Sequence, residues 1–227
     1  MIHRARELFP LRGLIVSCQA LPHEPLRGGD TMAKMARAAV SAGASGIRTN
    51  GVFDIIAIKQ EVSVPVIGLI KRENAGSDIF ITPTLNEVKA IVMAGAEVVA
   101  LDVTKREGRL EAVKPLIECA HQMGAAVMAD ISTLEEGLAA ERLGADFIGT
   151  TLSGYTAYSR QSEEPDFQLI QELSEAVRVP VVAEGRIWTP EEAAKALDCG
   201  AAQVVVGSAI TRPQLITAKF MQAMNRQ

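Results

Sequence analysis

The sequence predicts an α/β fold of one kind, a single-domain (β/α)8 TIM barrel, and three observations carry that prediction. Apolar, strand-sized runs alternate with amphipathic helical stretches eight times along the 227 residues, and such alternation implies a parallel sheet. Gly-Ala pairs recur at Gly43-Ala44, Gly95-Ala96, Gly124-Ala125, Gly144-Ala145 and Gly200-Ala201, each just before a strand; glycine there ends the preceding helix. The gaps Gly43 to Gly95, Gly95 to Gly144 and Gly144 to Gly200 are each about fifty residues. That is the length of two βα units, so four such quarters make eight strands and close a barrel. The open doubly wound sheet is the alternative architecture.

The elements follow in order. Leu11–Gln19 is the first apolar run, and Asp30 offers a cap to a helix with a stripe at Met32, Met35, Ala36, Ala39 and Val40. Gly46–Thr49 is strand two, followed by a short helix near Val52–Glu61, and Pro65–Lys71 is strand three. After a polar loop, Arg72–Pro83, Thr84 and Glu87 form a capping box for the next helix. Val98–Thr104 is strand four, Leu110–Met123 its helix, and Ala125–Asp130 strand five. Ser132 and Glu135 read as a second capping box, opening a helix that ends near Leu143. Phe147–Leu152 is strand six, with a long loop, Ser153–Pro165, before a helix from about Asp166. Pro180–Gly185 is strand seven, and Thr189-Pro190-Glu191-Glu192 combines a cap, a proline at the first helical position and a capping glutamate. Gln203–Gly207 is strand eight, and a helix from about Pro213 closes the chain.

Composition narrows the function classes. A net charge of −4 and a pI near 5.5 argue against an electrostatic nucleic-acid binder. No apolar run approaches the ~20 residues that span a bilayer. Met1–Pro10 carries no apolar signal segment, so residues 1–12 read as an N-terminal lead-in to a barrel over 13–227. Cys18, Cys119 and Cys199 are odd in number and lack CxxC spacing, as expected of free thiols in a reducing, cytoplasmic compartment. His3, His23 and His121 are scattered, and neither a metal site nor another cofactor is expected.

Two stretches are near repeats: Val62-Ser63-Val64-Pro65-Val66-Ile67 and Val177-Arg178-Val179-Pro180-Val181-Val182. Lys71 lies six residues past the first proline and Glu184 four past the second. With a side-chain period of two, both point the same way. In a barrel of eight, strands three and seven are opposite, so Lys71 and Glu184 face each other across the mouth where such folds build active sites. A partly desolvated lysine has a lowered pKa and can serve as a base, a proton donor or an imine-forming amine. Strand seven ends in Gly185-Arg186, and strand eight runs into Gly207-Ser208-Ala209-Ile210-Thr211-Arg212-Pro213. Glycine lets backbone amides approach a phosphate there, and Arg186 and Arg212 can complete the clamp. Gln19, Arg48, Asp102 and Asp130, at or near other strand ends, are candidates for hydrogen bonds to a polyhydroxylated substrate. Asp102 has an equal claim to a structural role, and Tyr155 reads either as a lid residue or as an ordinary loop aromatic.

Several motifs in order resemble one family. Ser17-Cys18-Gln19-Ala20, Gly46-Ile47-Arg48, Ile70-Lys71-Arg72, Phe80-Ile81-Thr82-Pro83-Thr84, Met128-Ala129-Asp130, Gly149-Thr150-Thr151-Leu152-Ser153-Gly154-Tyr155, Ala183-Glu184-Gly185-Arg186 and Val206-Gly207-Ser208-Ala209 together resemble the bacterial N-acetylmannosamine-6-phosphate 2-epimerases. The likeness runs from about Gly13 to the last helix. It implies interconversion of N-acetylmannosamine 6-phosphate and N-acetylglucosamine 6-phosphate in sialic-acid breakdown. It also implies Lys71 as the base at C2, Glu184 as a second acid/base or holder of the C1 oxygen, and Gln19, Arg48, Asp130 and Tyr155 against the sugar. Gly185, Arg186, Gly207, Ser208 and Arg212 fall to the phosphate. The alternatives are a Schiff-base aldolase acting on a sugar phosphate and a non-catalytic barrel that binds one. The partner expected is a small amino-sugar 6-phosphate, with a homodimer as the candidate assembly.

Overall fold

Eight parallel strands hydrogen-bond in chain order and close on themselves, β1 pairing with β2 on one side and β8 on the other. The structure is a computed structural model that describes residues 7–72, 78–106 and 108–225. The strands are β1 (Gly13–Cys18), β2 (Gly46–Asn50), β3 (Val66–Leu69), β4 (Val98–Asp102), β5 (Ala126–Asp130), β6 (Phe147–Gly149), β7 (Val181–Glu184) and β8 (Gln203–Val206). Between and after them lie α1 (Gly29–Ser41), α2 (Val52–Glu61), α3 (Leu85–Met93), α4 (Arg109–Gln122), α5 (Leu134–Leu143), α6 (Phe167–Ala176), α7 (Pro190–Asp198), the single turn α8 (Ser208–Thr211) and α9 (Pro213–Met224). The closed (β/α)8 barrel is the predicted fold, and the open sheet is excluded.

The period-two alternation splits the apolar residues into two cores. Val16, Ile47, Val99, Val127 and Ile148 point outward against the helices. Ile15, Ile67, Val98, Met128, Phe147 and Val205 fill the barrel itself. Phe9, in the segment read as a lead-in, reaches this inner core at 2% exposure, its ring 5.6 Å from that of Phe147 and edge-on. Gly46 makes room for it, since a Cβ there would stand 2.5 Å from Phe9 Cε1. Residues 1–6 of that lead-in, with His3, lie outside the described residues, as do positions 73–77 of the loop Arg72–Pro83.

Several local expectations are corrected. Asp30 is not the cap of α1: Gly28 holds that position without a side-chain bond, and Asp30 pairs with Lys34 one turn on. The capping box of α5 is Thr133 with Glu136, one residue later than Ser132 with Glu135; Ser132 instead donates its own N–H and hydroxyl to Glu136. A serine and a threonine in tandem, followed by two glutamates, leave the register ambiguous in sequence. Strand three stops at Leu69, and Lys71 belongs to an antiparallel bridge with Ile81 instead. Strands four and six also end early, at Asp102 and Gly149; past Gly149 the chain carries Thr151 to the cavity. The capping boxes at Thr84 and Thr189 stand where predicted.

The last helix breaks the pattern. α1 buries Met32, Ala33 and Ala36 against the barrel, whereas α9 buries no residue. Phe220, Met221 and Met224 are 67%, 51% and 76% exposed. Beside α7, an apolar groove of about 440 Å³ runs over the outward residues Leu14, Val204 and Val206, the face that an eighth helix covers in a regular barrel. Among the described residues no helix is long and apolar enough to cross a membrane.

Candidate active site

Lys71 reaches the mouth by a local device. Beyond β3 the chain pairs with 80–82: Arg72 donates its N–H to the Phe80 carbonyl at 3.0 Å, and Thr82 to the Ile70 carbonyl at 2.8 Å. The Lys71 N–H is held by Asn50 Oδ1 at 2.8 Å. Thr82, fully buried, adopts φ 46° to make the turn, backbone strain of the kind that surrounding structure must impose. Lys71 so placed shares a cavity of about 270 Å³ with Ser17, Gln19, Thr151, Glu184 and Trp188, near the lower end of the ~300–1,000 Å³ usual for small-molecule pockets.

Burial, followed by the nearby Arg48 charge, lowers the Lys71 pKa from 10.5 to about 8, with Glu184 opposing the shift. A lysine there is partly neutral near neutral pH, as a proton-transfer group requires. Glu184 is shifted the other way. Burial raises its pKa, Arg48 pulls it down and Asp130 pushes it up. The lysine and the carboxyl predicted to face each other therefore line one cavity and influence each other's charge.

Beneath them lies a buried ionic floor. Arg48 is 1% exposed and Asp130 0%. Its guanidinium donates to both Asp130 oxygens, at 3.2 and 2.6 Å, the two-pronged geometry that makes arginine–carboxylate pairs strong. Its Nε lies 3.3 Å from Glu184 Oε2 but is not aligned to donate. Burial works against the Arg48 charge, yet Asp130 and then Glu184 outweigh it and raise the guanidinium pKa. Arg48 and Asp130 thus sit below the cavity wall rather than in it. Thr151 connects the levels, its hydroxyl 2.7 Å from Asp130 Oδ1 and 3.1 Å from Glu184 Oε2. Gly149 leaves room for this cluster, since a Cβ there would stand 2.2 Å from Met128 Cε and 3.2 Å from Asp130 Oδ1 and the methionine would have to move.

The cavity's far corner gathers Gly185, Arg186, Gly207, Ser208 and Arg212, with Tyr155 on the rim. Arg212 has a counter-ion, Glu24, at 3.2 Å, and Gln214 donates to the same carboxylate at 3.0 Å. The Arg186 guanidinium donates to the carbonyls of Ser153 at 2.8 Å and Glu164 at 3.1 Å and lies over the Tyr155 ring at 5.5 Å. It therefore ties down the long loop after β6 as well as lining the corner. Gln19 donates to Ser17 Oγ at 2.9 Å, and its Oε1 is buried with no hydrogen bond.

Asp102 is structural: it accepts from Thr104 and pairs with Arg106 at 2.7 Å, away from the cavity. Sequence reading missed Ser17, Thr151, Trp188 and Glu24. Ser17 was findable, since it lies two residues from Gln19, a strand-end residue already singled out, and so on the same face. Among the described residues no three His, Cys, Asp or Glu side chains form a metal-ion cluster.

Fold and site together define a class: a (β/α)8 barrel that gathers a lysine and a glutamate around one cavity at the carboxyl ends of its strands. A family model, NanE, described as "Putative N-acetylmannosamine-6-phosphate epimerase", matches residues 32–226. A relative named "Putative N-acetylmannosamine-6-phosphate 2-epimerase" from Caldanaerobacter subterraneus subsp. tengcongensis is 57% identical over 214 residues, covering 92% of this chain and 90% of the relative. One from Clostridium perfringens is 54% identical over 208 residues, covering 91% and 94%. The solved structure described as the N-acetylmannosamine-6-phosphate 2-epimerase from Clostridium perfringens superposes with a TM-score of 0.90 at 52% identity, covering 93% of each chain. The chain belongs to the N-acetylmannosamine-6-phosphate epimerase family.

Proposed function

We propose that the chain is a carbohydrate epimerase that interconverts N-acetylmannosamine 6-phosphate and N-acetylglucosamine 6-phosphate, a step in amino-sugar breakdown. The observation that carries the reading is Lys71, its pKa lowered to about 8, sharing a small polar cavity with Glu184 in a barrel of this family.

The chemistry follows from the substrate. C2 lies next to a masked aldehyde, so the ring opens first and the C2 proton becomes acidic. Neutral Lys71 takes that proton; the C–H electron pair forms the C1–C2 double bond and the carbonyl electrons move to oxygen. Glu184, ionised at rest, takes the O1 proton as the ring opens and delivers it to the opposite face of C2 as the carbonyl re-forms, which inverts that carbon. Until that delivery the protonated Glu184 and the positive field of Arg48 meet the charge on the C1 oxygen, a service worth roughly 3–4 kcal/mol per well-placed donor. Asp130 holds Arg48. Gln19, on the cavity wall, contacts the sugar, and Tyr155 closes over it. Gly185, Gly207, Ser208 and Arg212 take the phosphate, with Arg186 alongside. No metal enters this scheme, because a guanidinium already supplies the positive charge.

Proton NMR of the protein with N-acetylmannosamine 6-phosphate in D2O tests the reading. Deuterium enters C2 and the second sugar appears; a C2 proton that never exchanges would sink it. Borohydride added with substrate separates the aldolase, which would be inactivated by a mass gain at Lys71. Activity survives a chelator.

The finer partner reading is a homodimer. The occupant that fits the groove beside α7 is α9 of a second copy: an apolar helix without a buried residue meets an apolar groove without a helix. A mutual exchange satisfies both at once with two-fold symmetry. Light scattering should give twice the chain mass, and truncation before Pro213 should give monomers. A monomeric full-length chain would exclude the exchange. Three free thiols suit the cytoplasm.

A further inference from the structure

Thr151 is a hydroxyl between two acids. It has one proton to give, and two buried carboxyl oxygens stand within hydrogen-bond distance, Asp130 Oδ1 at 2.7 Å and Glu184 Oε2 at 3.1 Å. The two acceptors are not equally served. Asp130 also receives two aligned N–H bonds from Arg48. For the Glu184 carboxyl, Thr151 is the one aligned donor among the described residues, since Arg48 Nε is near but turned away. A buried carboxylate without a donor carries the full cost of its desolvation, so losing this hydroxyl touches Glu184 far more than Asp130.

We infer that Thr151 is a positioning residue for the epimerisation, orienting the Glu184 carboxyl against the Arg48–Asp130 pair and holding it in its ionised form. The hydroxyl fixes Oε2, which leaves Oε1 to the cavity that Lys71 and Glu184 share. Its loss leaves Glu184 free to rotate and easier to protonate. The inference rests on the epimerase reading for its catalytic consequence, but the ionisation of Glu184 is a property of the protein alone.

The experiment therefore has two readouts. Infrared difference spectra against pH follow the Glu184 carboxyl directly, identified as the band lost in Glu184→Gln. In Thr151→Val its midpoint moves to higher pH, by about one unit, and Thr151→Ser restores it; an unchanged midpoint in Thr151→Val overturns the inference. In the epimerisation assay, Thr151→Val lowers kcat about 10- to 100-fold, the weight of one hydrogen bond to a charged group, with KM little changed. The acid limb of kcat/KM moves up in pH with the infrared midpoint. In a Glu184→Gln background Thr151→Val costs nothing further; a full additional loss there would mean that Thr151 acts without Glu184, and would overturn the inference too. Thr151→Ala serves if the valine variant fails to fold. A wild type that exchanges no C2 proton sinks the epimerase reading alone, because the infrared arm needs no turnover.

Discussion

The two ends of the barrel are built from the same eight strands and do opposite things. At the amino ends Phe9, Phe147, Ile15 and Val98 pack into an apolar plug. At the carboxyl ends the Arg48 guanidinium, the Asp130 and Glu184 carboxyl groups and the Thr151 hydroxyl stand in contacts of 2.6–3.3 Å, and the Lys71 side chain lines one cavity with Glu184. The plug stabilises through apolar burial. The mouth holds groups that water would solvate better, and their shifted pKa values show the cost. The difference teaches that one end of the fold carries stability and the other spends it on chemistry.

Substitutions can break that division. Lys71→Ala should cut C2 exchange about 10²–10⁴-fold, the usual weight of a general base, without lowering the melting temperature. A variant that keeps exchange would remove Lys71 from the reaction. Arg48→Met should be costly at both levels. It leaves Asp130 and Glu184 buried without their cation, a loss of about 3–5 kcal/mol in denaturant unfolding, and exchange falls with it. A stable Arg48→Met would mean that the floor is not held by charge. Phe9→Ala should show the reverse signature, destabilising by about 3 kcal/mol through its cavity while kcat holds. A kcat loss without a stability loss would merge the two ends.

How much of this was legible in sequence follows the same division. The eight strands were readable because each buries both faces and appears as a short apolar run, as Val98–Leu101 and Val127–Ala129 do. Lys71 and Glu184 were legible because a charge at the end of such a run is conspicuous and the period of two fixes its direction. Their pairing across the barrel needed only the strand count. The Arg48–Asp130 pair was named for the sugar, and the structure sets it just beneath the residues that line the cavity; no sequence rule tells a residue in a cavity wall from one beneath it. Thr151 and Glu24 stayed hidden since threonine and glutamate near loops are common, and their partners, 21 and 190 residues away, emerge only on folding. The open groove beside α7 was illegible for a related reason. The sequence writes a perfectly good amphipathic last helix at Pro213–Met224, and nothing in it says which barrel that helix covers.

The smallest effect, and the one that sharpens the comparison most, is the pH dependence of stability. Lys71 titrates at about 8 in the folded chain and near 10.5 when unfolded. Between those values the unfolded chain binds more protons, so this residue makes stability rise with pH from about 8 to 10.5 and contributes no slope outside that window. Below 8 both states are protonated, and the folded state carries the penalty of a desolvated ammonium. Lys71→Met should remove that rising segment and gain stability below pH 8, while Phe9→Ala shifts the whole curve down without changing its slope. Over the same range kcat/KM of the wild type should climb through pH 8 as the amine is freed. Urea unfolding of the three proteins at closely spaced pH values reads both terms. A Lys71→Met curve parallel to wild type would show that the lysine is solvated, and would remove the mouth's half of the contrast.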